Sequence, residues 1–306
     1  MKRFDINDEE LLKLVAQQES ATVMAFDQFE DRLLVEMESQ GLRGDKLPWP
    51  KTHGTVALGA GELSIWAGVN GSGKSAMVSQ LIVSLAQHRN TLTASMEMPA
   101  ERTLKIMATQ AAGCYPSKEY AIRYINSTKG WIYDCLTKVD EHKVLGLAYY
   151  AGKNLGVTHL VIDSLTMTGV KTDDYEAQTR FIDHLRCAAK RHRMHIHLVA
   201  HMRKGDREGD RVSKWDIRGA GQISDMADKV FIVARNKKRE HAKARQEHAP
   251  NSLTDAEREL IANGYDTFLQ LEKNRQDGSE ATWGLFFNPE SKQFTEREGR
   301  PITYVD

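Results

Sequence analysis

The eight residues Gly68-Val69-Asn70-Gly71-Ser72-Gly73-Lys74-Ser75 spell a complete G-x-x-x-x-G-K-S, and nothing else in the chain constrains its fold as tightly. Leu63-Ser64-Ile65-Trp66-Ala67 reads as a strand leading into it. Met77, Val78, Leu81, Ile82 and Leu85 fall on one side of a helix leading out. Strand, glycine-rich turn and helix are what a phosphate-binding loop needs. Glycines let the backbone turn its N–H groups onto an anion, and the helix N-terminus adds positive potential. Lys74 is then expected on the β- and γ-phosphates and Ser75 on Mg2+. Gly68, Asn70, Gly71, Ser72 and Gly73 complete the expected cradle for ATP or another nucleoside triphosphate.

Short β-rich runs and helical stretches alternate from Thr55 onward, which predicts an α/β fold with a mostly parallel sheet flanked by helices. Further strands are expected at Thr91 to Met96, Thr158 to Ile162, His195 to Ala200, Val230 to Val233 and Phe268 to Leu271. Trp283 to Phe287 is expected to close the sheet. Helices are expected over Ala100 to Ala112, Leu145 to Leu155 and Ala177 to His192. Asn236 to Asn263 reads as a charged helical insertion whose face is solvated or touches DNA. There is no internal repeat or low-complexity tract.

Chemistry collects at the expected carboxyl ends of these strands, where open α/β sheets bind ligands. Leu160-Val161-Ile162-Asp163 places an acid there, and Asp163 is the candidate second metal ligand. Ser164 follows it, so no adjacent glutamate supplies a hydrolytic base. Glu97, in Ser95-Met96-Glu97-Met98-Pro99, can fill that role by orienting and deprotonating water, or can be an acid at a helix N-terminus. His201 ends its strand as a candidate sensor of the γ-phosphate. His195 and His197 lie farther from that edge, with no carboxylate or cysteine nearby in sequence to complete a metal site. Arg235, Lys273 and Arg275 follow strands as well. Such cations either reach a phosphate on a neighbouring subunit, as arginine fingers do, or form surface ion pairs.

The 306 residues carry equal numbers of basic and acidic side chains, 42 each, which excludes a chain-wide basic coat for nucleic acid. Any such grip is local, and residues 203 to 218 offer one, with six basic residues (Arg203, Lys204, Arg207, Arg211, Lys214, Arg218) against four acidic ones. No apolar run approaches the ~20 residues of a membrane span. The amino-terminal residues are too acidic and broken for a secretory signal, so the expected location is the cytoplasm. Cys114, Cys135 and Cys187 are isolated and read as reduced, buried thiols. Residues 1–47 read as a helical segment ahead of the main domain at 48–306. Its first helix is capped by Asp8 and carries Leu11, Leu14 and Val15. The second presents Phe26, Phe29, Leu33 and Met37 on one face, ends at Gly41 and Gly44, and meets a stiff Pro48-Trp49-Pro50 connector. That stripe must dock on the main domain or on another subunit.

Together the GVNGSGKS, SMEMP, HLVIDSL, LVAHMRK and EKNRQDG segments, with the stretch from Asp216 to Asp228, resemble the RecA-type motor domain of ring-shaped replicative DNA helicases. That family includes bacterial DnaB, the helicase half of phage primase-helicases and the mitochondrial helicase Twinkle, and the resemblance runs from about Leu47 to Thr295. It implies a RecA-like P-loop core assembled as a hexamer that hydrolyses nucleoside triphosphate with Mg2+ and moves along single-stranded DNA. It also implies Glu97 as base, His201 as sensor, Lys273 and Arg275 as cations given to a neighbour, and Arg235 as a further phosphate contact. Residues 168 to 175 with Lys171, and the 203–218 stretch, fall where the family places DNA loops in its central channel. The second amino-terminal helix resembles a linker that packs on the adjacent subunit. No primase domain or zinc module is present, so priming is not expected, and a separate primase, polymerase or loader is an expected partner. The flavour is that of a phage or mobile-element protein. A RecA-like recombinase filament and a nucleotide-switch loading adaptor with little turnover are the competing readings.

Overall fold

Leu63, Ile65 and Ala67 alternate with Ser64 and Trp66, and the alternation sorts them onto the two faces of one sheet. The computed structural model describes residues 25–38, 42–135, 139–170, 174–202 and 220–305, together with Glu9 and Lys13. A 3-10 turn (Phe26–Phe29) runs into α1 (Glu30–Glu38), and the core begins with β1 (Leu63–Gly68), α2 (Lys74–Leu85) and β2 (Thr91–Ser95). α3 (Ala100–Ala112), α4 (Lys118–Ser127), β3 (Gly130–Tyr133), α5 (Glu141–Leu155) and β4 (His159–Asp163) follow. Next come α6 (Tyr175–His192), β5 (His195–His201), α7 (Ala220–Met226) and β6 (Lys229–Arg235). α8 (Lys237–His248), α9 (Asp255–Asn263), β7 (Thr267–Asn274), β8 (Ala281–Asn288) and β9 (Gln293–Thr295) complete the order.

The described strands form one sheet in the order β3-β2-β4-β5-β1-β6-β7-β8-β9. From β3 to β6 every pairing is parallel, and β7, β8 and β9 extend it as an antiparallel meander. β1 lies between β5 and β6, yet the chain leaving it crosses over β5 and β4 before adding β2. That break in strand order opens a crevice at the carboxyl ends. On one face Leu63, Ile65 and Ala67 pack with Leu160, Leu198, Leu145 and Phe181. On the other, Trp66 stacks on Phe231 with ring centroids 4.3 Å apart, beneath Met77 and Leu81 of α2. Each such burial stabilises by about 1.5–3 kcal/mol, which sets the sheet as the rigid frame for its edge.

Several expectations are corrected. Trp283 to Phe287 does not close the sheet, because β9 pairs beyond β8 after a turn in which Asn288 Oδ1 accepts the amides of Glu290 and Ser291. α4 and β3 occupy a stretch to which no element is assigned from the residues. Cys114 and Cys187 are exposed and Cys135 is half-buried, so these thiols are not core residues. The 237–263 insertion is helical, but Arg239 turns inward: it pairs with Asp266 and Glu298 and donates to the Ile261 carbonyl at 2.7 Å. Phe26, Leu33 and Met37 are exposed (97%, 55% and 70%) among the described residues. No helix among the described residues is long and apolar enough to cross a membrane.

His159, His195 and His197 form a buried ladder on the Trp66 face. Trp66 Nε1 can only donate, so His197 Nδ1 accepts from it at 3.2 Å. His197 Nε2–H then donates to His159 Nδ1 at 3.1 Å, and His159 Nε2–H to Asp45 Oδ2 at 2.9 Å. His195 donates to the Gly59 carbonyl and accepts from Ser64. All six ring nitrogens are thus committed in the neutral form. Burial pushes the imidazoles of His195 and His197 well below their ordinary range, and lowers His159 against the opposing pull of Asp45. Burial raises the Asp45 carboxyl, but hydrogen bonds from His159 and Arg89 outweigh it and bring it to about 2.

Below pH ~6.5 the unfolded chain therefore binds protons that the native ladder refuses, so stability present above that pH is lost as pH falls. Asp45 stays ionised throughout this window and does not offset the loss. The free energy of unfolding by urea is expected to drop between pH 7 and 5 by on the order of 1 kcal/mol per pH unit for each histidine. A profile flat over that range would contradict the neutral ladder.

Candidate functional site

The turn between β1 and α2 stays tight because Gly68 has no side chain. A Cβ there would stand 2.5 Å from both the Ser72 hydroxyl and the Val233 carbonyl. Gly71 and Gly73 hold left-handed φ angles of 76° and 95°, which glycine adopts at little cost. Lys74, the first residue of α2, is buried and donates to the carbonyls of Gly68 at 2.8 Å and Val69 at 3.0 Å. Burial lowers its ammonium from the usual range, while Asp163 and Glu97 pull it back up.

The strand register brings the other groups to the same edge. Gly68 is level with His201, and Ser95 with Asp163. A cavity of about 460 Å³ opens there, lined by the turn, Ser75, Glu97, Asp163 and His201. Burial raises the Asp163 carboxyl, a hydrogen bond with Ser75 lowers it, and the Glu97 charge adds to the rise. Ser75 and Asp163 are therefore neighbours at the same edge, placed to share a metal position. Glu97 Oε1 accepts from Ser164 Oγ at 2.5 Å and lies 3.4 Å from His201 Nε2. Ser164 was no site residue in the sequence, because only the folded strand ends show where its hydroxyl points.

The cavity fits a triphosphate with Mg2+. It has a cradle that a Cβ would fill, and among its lining residues His201 Nδ1 is a buried polar atom without a described partner. Ser75 and Asp163 would hold the ion, which when bound neutralises charge on phosphate oxygens. Lys74 and the turn would hold the anion, and Glu97 lines the same cavity as a candidate base for water.

The remaining candidates separate by position. Arg235 ends β6 beside the same turn, with Nη1 3.2 Å from the Gly71 carbonyl and Nη2 2.6 Å from Glu240 Oε1. It lines a second cavity of about 610 Å³ next to Gly71 and Gly73. Lys273 and Arg275 lie outside both cavities. β7 runs antiparallel to β6, which puts Lys273 level with Val230 at the opposite edge of the sheet. There Lys273 Nζ donates to the carbonyls of Ser224 and Asp225, and Arg275 to the Asp225 carbonyl at 2.8 Å with Asp228 3.4 Å away. Lys171, Arg203, Lys204, Arg207, Arg211, Lys214 and Arg218 fall outside the described residues.

Residues 48–207 match a family described as an AAA domain. A solved DnaB-like replicative helicase, studied with its primase interactions, superposes with a TM-score of 0.69 at 17% identity, over 89% of this chain and 68% of that one. A separately solved ATPase domain gives 0.70 at 16%, over 90% of this chain and 100% of that one. A KaiC-like protein from the archaeon Pyrococcus horikoshii gives 0.56 at 15%, over 83% and 98%. These likenesses establish a RecA-like fold with its sheet and flanking helices.

Because a methyl at Gly68 meets backbone as well as side chain, Gly68→Ala is expected to weaken binding of a fluorescent ATP analogue about tenfold or more. Gly278→Ala, at a glycine with φ of 73° and open space around it, is the control and should leave affinity unchanged. Equal affinities in the two variants would show that the turn tolerates a side chain.

Proposed function

Since this chain belongs to the AAA-domain family, we propose that it is an ATP-hydrolysing motor of the replicative-helicase type, working as a hexameric ring on single-stranded DNA. The observation that carries this reading is the division of charge between the two sheet edges. Lys74, Glu97, Asp163 and His201 surround one cavity, while Lys273 and Arg275 project from the other edge of the same sheet. They cannot serve the cavity of their own chain, and a ring, in which one copy's far edge faces the next copy's cavity, gives them a use. Fold likeness to a DnaB-like helicase supports the same assembly.

In this reading Lys74 and the glycine turn hold the β- and γ-phosphates, and Ser75 with Asp163 hold Mg2+. Glu97 takes a proton from the attacking water. His201, within reach of Glu97, senses the γ-phosphate and passes its loss down β5. Arg275 and Lys273 of the preceding copy stabilise charge in the transition state. Arg235 contacts phosphate from the side of the turn. The exposed Phe26, Phe29, Leu33 and Met37 face packs on the adjacent copy, which removes apolar area from water that the monomer leaves exposed. Lys171 and the basic residues of 203–218 carry the DNA, an interaction of modest local charge that weakens with salt. A separate primase or loader would complete the replication machinery.

Arg275→Ala is expected to lower DNA-stimulated hydrolysis on the order of 10³-fold while nucleotide binding stays intact. Lys74→Ala should be inactive by losing the phosphate contact. Mixing the two inactive proteins should restore measurable activity, because some sites then combine an intact Lys74 from one copy with an intact Arg275 from its neighbour. Mixed assemblies shown to contain both variants, yet without any recovery, would sink the shared-site reading. Strand displacement on forked DNA, with and without a free 5′ tail, tests the motor itself.

A further inference from the structure

We propose that Ser164 is a positioning residue for the base, fixing the Glu97 carboxylate with one oxygen held and the other left for water. The inference rests on the role of Glu97 given above. Ser164 is fully buried and directly follows Asp163 at the end of β4. Its Oγ lies 2.5 Å from Glu97 Oε1 and 2.7 Å from Thr166 Oγ1. A hydroxyl has one proton. A carboxylate can only accept, so Ser164 gives its proton to Glu97, and Thr166 must donate to Ser164. The result is a two-hydroxyl chain that ends on a charged acceptor, the kind of hydrogen bond that is short and strong.

Glu97 needs such a hold. It sits beyond the end of β2 with its side chain 43% exposed, and a long side chain loses rotamer freedom when fixed in one geometry. Both of its recorded contacts, Ser164 Oγ and His201 Nε2, fall on Oε1. Among the described residues Oε2 has no recorded partner. Oε1 is thereby held, and since Glu97 lines the cavity, Oε2 is the oxygen left for water. The hold also indexes the base to the metal position. Ser164 is bonded to Asp163, and the Met96 amide donates to the Asp163 carbonyl at 3.0 Å. The two acids therefore move as one unit when either strand end shifts.

The test measures steady-state ATP hydrolysis with single-stranded DNA, and affinity for a fluorescent ADP analogue, on the full chain. Ser164→Ala is expected to lower kcat about tenfold or more, since displacement of a catalytic group by about 1 Å costs up to about 10² in rate. KM and nucleotide affinity should stay within about twofold. Ser164→Thr restores the hydroxyl and should recover at least half of the lost rate. Thr166→Ala shortens the chain from its far end and should lose a few-fold in kcat alone. Wild-type kcat in Ser164→Ala overturns the proposal. So does a loss of rate matched by a loss of affinity, or one that Ser164→Thr fails to recover. Should thermal melting show Ser164→Ala unfolded, Thr166→Ala decides by the same split between kcat and affinity. Glu97→Gln separates the two levels. If it retains wild-type hydrolysis, the base assignment itself fails. If it is inactive while Ser164→Ala is normal, only the positioning role fails.

Discussion

The close approach at Gly68 governs what the rest of the structure can do. β1 ends against the Val233 carbonyl of β6 and the Ser72 hydroxyl of its own turn, and only a residue without a side chain leaves room for both. Given that room, the backbone can reverse over the strand end and enter α2 within a few residues. The reversal aims N–H groups and a helix N-terminus at one point, a preformed anion site. Trp66, two residues earlier, anchors the strand by stacking on Phe231, so the turn is fixed relative to β6 as well as β5. Core packing on one side and a bare backbone on the other are two halves of the same device.

Charge at the site follows from that placement. Lys74 is buried and Asp163 half-buried, and desolvation disfavours the ionised form of each: it lowers the lysine and raises the aspartate. Each also eases the other, because the opposite charge is near. Such a pair is costly when alone and well suited to a ligand that brings both signs, a phosphate chain for Lys74 and a divalent ion for Asp163. Glu97 adds a second acid against Asp163, and its tie to Ser164 keeps that like charge in one direction. The cavity is therefore held at a balance that binding can complete.

Much of this was legible in the residues. Gly68 to Ser75 reads directly because the glycines and lysine are spaced by a backbone motif that does not depend on distant contacts. Glu97, Asp163 and His201 read from position, since each follows an apolar run at a strand's carboxyl end and a parallel sheet gathers those ends. What escaped depends on tertiary direction. Ser164 is an ordinary small residue until two strand ends meet. Arg239 sits in Lys237-Lys238-Arg239, whose charge reads as solvated, yet Asp266 and Glu298 from distant segments draw it inside. α4 and β3 were masked by Gly113, Pro116 and a short, half-buried edge strand. β9 has only three residues, and its pairing is set by the turn before it. His195 and His197 alternate as strand residues should, but their neutral state follows from His159 and Trp66 on neighbouring strands.

β7 gives the sheet its mechanical interest. Its eight residues span roughly 25 Å, from Thr267 beside Arg235 to Asn274 beside Lys229. One end lies at the corner where Arg239 ties α8 to Asp266 and Arg235 touches the phosphate turn. The other carries Lys273 and Arg275, held by the carbonyls that close α7. Hydrogen bonds to β6 and β8 on either side make it a stiff bar rather than a tether. Any displacement of the turn would therefore reach the far edge with little loss, because close-packed strands resist absorbing it by bending. In the ring proposed above, that far edge would supply the cations of the next site. In that proposed assembly, sequential firing would need no separate signalling element: one strand, read from end to end, would join one site to the next.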